Sequence, residues 1–296
     1  MRSEDHLPIG ELARRTGVNP VTLRAWERRY GLLIPDRTPK GHRLYREAHV
    51  QKVLDILQWL ERGASVSQVR DLLENSNSTP PVLNGDWQAR CTQLIEAIAN
   101  LAQRSLDQQL NQAMALYPAT TLCDQLLLPL LEQLEQRWRH HFDAGLEQSF
   151  FHTWLRSKLG ARVYHDNHSL EGPPVLLASV AEQPFNERLW LTAWLLSSSG
   201  VAVEVLEYPV TGKQLVHVVD RLQPRAVVLY LGARLDVPAL MPLEGVTQLK
   251  LLGGISAPIH QERLETMGLA NSQLFETPQQ VLRLIQQSTP SLDARP

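Results

Sequence analysis

The punctuation of residues 9–45 constrains this chain more than any other feature. Ile9 to Thr16 reads as a short apolar helix. Gly17 makes a turn, and Asn19 is a good N-cap for the next helix, because its side chain can accept from an otherwise unpaired first-turn amide. The second helix, Asn19-Pro20-Val21-Thr22-Leu23-Arg24-Ala25-Trp26-Glu27-Arg28-Arg29-Tyr30-Gly31, is expected to carry Thr22, Arg24, Arg28 and Arg29 outward, with Trp26 as its core anchor. A Gly/Pro-rich loop follows with Arg37, Lys40, His42 and Arg43, closed by Tyr45. Helix, turn and helix beside a basic hairpin spell a winged helix-turn-helix.

The chain has 296 residues, enough for two or three domains, and a formal net charge of -2. The total hides an asymmetry. Residues 19–46 hold seven Arg and Lys (24, 28, 29, 37, 40, 43, 46) against Glu27 and Asp36, a local +5 that leaves -7 on the remainder. A cationic block on an acidic body suits one polyanion-binding module attached to something else. Beside a helix-turn-helix that polyanion is double-stranded DNA. Cys91 and Cys123 match no metal spacing and read as small core or half-buried residues, as in a reducing cytoplasm. The polar N-terminus lacks the apolar core of a signal peptide, and no apolar run reaches the ~18 residues of a membrane span. The expected location is cytoplasmic, without membrane contact. Adjacent His140-His141 make a poor chelate on a helix. His165 and His168 beside Asp166 lack ligand spacing, and His217 and His260 read as surface. Asp220 and Asp236 are scattered, and no catalytic constellation stands out, so no enzyme activity is expected.

Residues 1–75 form the first expected unit, with a helix over Glu47–Arg62 ended by Gly63 and a short one capped by Ser65. Residues 76–85 are a linker by composition; the run Asn75–Pro81 holds two prolines and no large apolar side chain, and is expected to be cut first by a broad protease. Residues 86–168 read as a four-helix bundle: Trp87–Ala102, Leu106–Leu116 capped by Ser105, Thr120–Trp138 after Pro118, and Gly145–Val163. Over 172–288 the period changes. Apolar runs Val175–Val180, Ala202–Leu206, Ala226–Leu231 and Gln248–Leu252 alternate with helices, hence a parallel sheet covered on both faces. The loop Ala181-Glu182-Gln183-Pro184 is not a dinucleotide fingerprint. The fold class is therefore multidomain: an all-α winged helix-turn-helix, a four-helix bundle, and an α/β Rossmann-like (flavodoxin-like) parallel sheet.

The first unit resembles the MerR family of transcription regulators through Ile9-Gly10-Glu11-Leu12-Ala13, Val18, Thr22-Leu23-Arg24-Ala25-Trp26-Glu27-Arg28, Gly31-Leu32, Pro35, Arg37 and Gly41-His42-Arg43-Leu44-Tyr45. The Arg-x-Trp-Glu-Arg-Arg-Tyr-Gly form is similar to the CarH/LitR/MlrA-like branch, in which a helical bundle and a cobalamin-binding Rossmann-like domain follow. That resemblance implies a Trp followed after nine residues by Glu-His; here Trp138 is followed by Gln148-Ser149. It also implies a cobalt-ligating His and, three residues later, a Gly; Phe185 and Arg188 stand there. The Gly-Gly of the nucleotide tail survives as Gly253-Gly254. Cobalt ligation here needs an imidazole nitrogen, which Phe185 lacks. Four departures argue against cobalamin, so no cofactor and no metal are expected, with Phe185, Trp190 and Trp194 read as core or as rings filling the vacated volume.

The resemblance implies a homodimeric regulator of promoter DNA that meets RNA polymerase there and deforms the duplex. Arg14, Thr22, Arg24, Arg28, Arg37, His42, Arg43 and Tyr45 are the expected DNA-binding residues, with Arg43 on phosphate. The C-terminal module is expected to receive a signal or a regulatory protein partner. The alternatives are a regulator still responding to a corrinoid or another small molecule, and a cobalamin-dependent methyl-carrier protein.

Overall fold

The computed structural model describes residues 6–74, 85–139, 142, 144–180, 185–232, 234–235, 237–254 and 257–288. The chain divides into two compact units, Met1–Phe151 and His152–Pro296.

The first unit begins with α1 (Ile9–Thr16) and α2 (Pro20–Ala25), which continues as a π-helical turn, Trp26–Tyr30. Gly17 and Gly31 close the two helices at φ +70 and +62, a region that costs glycine little. Asn19 accepts from the Thr22 amide at 2.9 Å, as expected of an N-cap. The wing strands β1 (Asp36–Arg37) and β2 (Arg43–Leu44) are antiparallel. Then come α3 (Glu47–Glu61), α4 (Val66–Glu74), α5 (Gly85–Ala99) and α6 (Gln103–Leu116). After Pro118, α7 (Ala119–Leu122) runs through a π-helical turn, Cys123–Leu127, into α8 (Leu128–Trp138). Pro129 accounts for that turn: it has no amide to donate to the carbonyl four residues back, and its ring crowds that carbonyl. Helix α9 (Ala144–Asn167) contains the division between the units.

Aromatic side chains join the winged helix to the bundle by satisfying helix ends. The Trp26 indole donates to the carbonyl of Leu116, the last residue of α6, at 2.8 Å. The Val66 amide, first in α4, reaches the Tyr117 hydroxyl at 3.4 Å. Trp87 donates to the Gly63 carbonyl at 3.2 Å and stacks obliquely on Tyr117, ring centres 4.5 Å apart. Gln125 donates to the carbonyl of Glu61, the last residue of α3. Such terminal groups lack intrahelical partners, and burying them unpaired is unfavourable. The winged helix and the helices through Phe151 thus lie in one compact unit. The expected linker, 76–85, falls almost wholly outside the described residues, as does the stretch Asn75–Pro81.

The second unit is a five-stranded parallel sheet of β3 (Val175–Ser179), β4 (Val203–Leu206), β5 (Ala226–Tyr230), β6 (Leu249–Gly253) and β7 (Ser272–Phe275), in the order β4-β3-β5-β6-β7. This is the flavodoxin-like doubly wound order. Helices α10 (Glu187–Ser198), α11 (Gly212–Leu222), α12 (Val237–Leu240) with a 3₁₀ turn, α13 (Ala257–Met267) and α14 (Pro278–Gln287) connect or follow the strands. Strands β3, β5 and β6 are buried throughout. Even Lys250 is enclosed; its ammonium donates to the carbonyls of Val246 (2.5 Å) and Gln248 (3.2 Å), and burial lowers its pKa.

Some expectations need correction. Edge strand β7, Ser-Gln-Leu-Phe, has too short an apolar run to announce itself. Ser105 lies inside α6, where it accepts from Gln109, and the helix starts at Gln103. His260 is buried, with Nε2 3.2 Å from the Gly232 carbonyl. Helix α9 extends through His165. Cys91 and Cys123 are buried, in line with their reading as core residues.

Trp26→Phe keeps most of the ring volume but strands the Leu116 carbonyl. It is expected to lower stability by about 1–3 kcal/mol, and Trp26→Ala by about 3–5 kcal/mol, both read by urea denaturation of the full chain.

Candidate nucleic-acid interface

Helix α2 has two faces. Leu23, Thr22 and Trp26 are fully buried, whereas Val21, Arg24, Arg28 and Arg29 are exposed. Thr22 thus differs from the expectation of an outward residue. Successive residues turn by about 100°, so once Leu23 and Trp26 face the core, Thr22 follows them in and Val21 takes the outer position. The Thr22 hydroxyl is buried with no hydrogen-bond partner among the described residues.

The wing turns over Thr38-Pro39-Lys40-Gly41. The Gly41 amide bonds the Thr38 carbonyl, Gly41 adopts φ +83, and the Thr38 amide closes on the His42 carbonyl at 2.8 Å. Proline inside the turn and a left-handed glycine after it suit this hairpin. The register sets Arg37 directly opposite Arg43. Two facing cations repel. Glu27, on the helical turn that follows α2, resolves the conflict: it accepts from Arg43 Nε at 2.5 Å and from Arg37 at 3.2 Å. This carboxylate ties both wing strands to the recognition helix, and its bond raises the Arg43 pKa.

Two further residues expected on DNA are drawn into the fold. The Arg43 side chain is only 17% exposed and engaged with Glu27, so it holds the wing. Tyr45 is fully buried: its backbone pairs with Leu7 on both sides, and its ring meets His49 edge-on. Burial pushes the Tyr45 phenol up, aided by Glu27 and opposed by Arg43, Arg24 and Arg37, whose charges all reach this hydroxyl. Arg14 is exposed but forms a two-point pair with Glu11 on its own helix. The outward basic side chains are then Arg24, Arg28 and Arg29 on the helix, and Arg37, Lys40 and His42 on the wing. In the sequence Glu27 enters only as a charge set against the local cations and as part of the family-like motif; its position one turn beyond Leu23, opposite two wing arginines, is what gives it a role.

The positions matched to a cobalamin site have other occupations. Gln148 and Ser149 are exposed. Trp138 donates to Glu147 at 3.2 Å, and buried Glu147 also takes two bonds from Arg137. In the second unit the Phe185 ring lies 5.0 Å from that of His152, which pairs with Glu187 at 2.5 Å. Arg188 is buried, and its carbonyl accepts from Thr192 and Tyr230. Trp194 is buried, and Trp190 packs on Gly160, where a Cβ would sit 3.6 Å from its ring. At Gly253 a Cβ would fall 1.8 Å from the Phe275 carbonyl oxygen; at Gly254, φ +103, it would meet the Tyr230 ring at 2.9 Å. Both glycines therefore serve the chain's own packing at the carboxyl ends of β5, β6 and β7. With no imidazole at 185, the residues present do not fit a corrinoid whose cobalt is ligated by the protein.

Among the described residues, no group of three or more His, Cys, Asp or Glu could hold a metal, and no helix is long and apolar enough to cross a membrane. His165, His168 and His217 are exposed. His140, His141, Asp236 and the loop 181–184 lie outside the described residues.

A recognition helix braced by a core on one side and a cationic wing on the other defines a DNA-binding regulator of the winged helix-turn-helix class. Residues 7–76 match the MerR HTH family regulatory protein model. The HTH-type transcriptional regulator MlrA of Escherichia coli K12 is 34% identical over 202 residues, spanning 68% of this chain and 79% of that protein. The HTH-type transcriptional repressors CarH and CarA of Myxococcus xanthus are each 26% identical, over 236 residues (75% of this chain, 77% of CarH) and 274 residues (88% and 91% of CarA). The chain belongs to the MerR family of transcriptional regulators.

Arg24→Ala is expected to cost about 1–3 kcal/mol at a cognate site and to relax base preference. Arg43→Ala should act through the fold: freeing Glu27 from its nearer partner lowers stability by about 1–2 kcal/mol and weakens binding to all sequences alike. Thermal melts beside fluorescence-anisotropy titrations separate the two.

Proposed function

We propose that the chain binds promoter DNA as a homodimer, each copy setting α2 in a major groove of an inverted repeat with its wing over the flanking backbone. One observation carries the reading: Arg24 and Arg28 share the exposed face of a helix whose other face is locked by Leu23 and Trp26. Arg24 and Arg28 read base edges; Arg37, Lys40, His42 and Arg14 meet phosphates, Arg14 after exchanging its Glu11 contact. Family membership supports action at RNA polymerase promoters in the cytoplasm, with deformation of the duplex offset by protein contacts. In a salt titration of the full chain on a selected operator, log affinity should fall steeply with log salt, and Lys40→Ala should flatten the slope by about one unit. A complex with one copy per operator, or a slope untouched by wing cations, would sink this reading.

The α/β unit serves as a receiver of a signal or a regulatory protein partner, without cobalamin. Support comes from Phe185 and from Tyr230 and Phe275 beside Gly253-Gly254. The Trp26–Leu116 bond offers a route by which movement of α6 alters the recognition helix. Protein incubated with adenosylcobalamin and desalted should show no corrinoid absorbance, and its DNA affinity should be the same in light and dark. Near-stoichiometric corrinoid retention would instead favour a ligand-responsive regulator.

A further inference from the structure

Val21 is 60% exposed on the first turn of α2. Scattered exposed apolar residues are ordinary, but this one has a particular setting. Thr22, Leu23 and Trp26 turn inward, which leaves Val21, Arg24 and Arg28 as neighbours along the outward face. Arg24 and Arg28 are the groups on that face suited to guanine edges and phosphates. A β-branched side chain is a weak helix former, because its χ1 freedom is lost against the preceding turn. Val21 therefore gains the free chain neither burial nor helix propensity. Its two methyls stand at the N-terminal end of the recognition helix, the part that approaches base edges in helix-turn-helix docking. In the major groove the complementary apolar group is the C5 methyl of thymine.

We infer that Val21 is a specificity-determining residue that selects thymine at one position of each half-site through contact with the C5 methyl group. The inference rests on the DNA-reading role proposed for α2. It adds that discrimination at this position is apolar, and that Thr22, although polar and adjacent, takes no part in it.

The test uses the full chain and a duplex selected from a random library. Each thymine in a half-site is replaced in turn by deoxyuridine, which removes only the methyl group. One thymine should then cost the wild type about fourfold in affinity, the equivalent of burying one methyl-sized group, while the other replacements are near neutral. Val21→Ala should lose most of that sensitivity and still prefer the same flanking bases. Since Val21 is exposed, the variant is expected to fold, and an unchanged thermal midpoint checks it. Val21→Ser, matched in size to alanine, should behave the same way. Neutral deoxyuridine at every position, or sensitivity that persists in both variants, overturns the inference while leaving the DNA-reading role intact. Selection of no sequence, or binding indifferent to Arg24→Ala, overturns the role of α2 and the inference with it.

Discussion

The first unit depends on backbone groups that a helix cannot satisfy by itself. The carbonyl of Leu116 ends α6 and the amide of Val66 begins α4; both are paired by aromatic side chains from distant segments, Trp26 and Tyr117. An unmade hydrogen bond in such a place is more costly than a made one is stabilising. These bonds therefore specify which helix end meets which ring, while the surrounding apolar burial supplies the larger favourable term. Because Trp26 belongs to the DNA-facing segment itself, the recognition helix is built into the bundle.

The opposite side of that segment is set by charge. The hairpin register forces Arg37 and Arg43 into opposition, and Glu27 makes the arrangement favourable by accepting from both. The same short stretch, Trp26-Glu27, thus reaches the bundle through one side chain and the wing through the next. What remains outward is Val21, Arg24, Arg28 and Arg29. A partly shielded ion pair of this kind is weak as a source of stability but strong as a determinant of geometry, since removing either partner leaves a charge poorly solvated.

Much of this was legible in residue order. Gly17, Asn19-Pro20, Gly31 and Gly41 announced the helix ends and the wing turn, because each meets a local backbone requirement. The buried strands β3, β5 and β6 were legible as apolar runs, and the parallel order followed from their alternation with helices. Phase was harder. Thr22 looked like a reading residue because it is polar, yet helical geometry commits it to the side chosen by Leu23 and Trp26. The burial of Tyr45 and Arg43 is hard to read for a related reason: a tyrosine or arginine in a basic loop carries no mark of burial, which long-range contacts with Leu7 and Glu27 decide. The joining of winged helix and bundle was invisible for the same cause, since Trp26 and Leu116 are 90 positions apart. Edge strand β7 has only Leu274 and Phe275 to signal it.

The Trp26–Leu116 bond ties the opening of the recognition helix to that of the bundle. Native-state hydrogen exchange of the full chain free of DNA tests it most directly, by comparing amides Leu23–Trp26 of the recognition helix with those in the last turn of α6. The two segments are expected to share an opening free energy with the same denaturant dependence, lowered in both alike by Trp26→Phe. Exchange of Leu23–Trp26 through a separate, lower-energy opening, with α6 still protected and indifferent to that substitution, would contradict it.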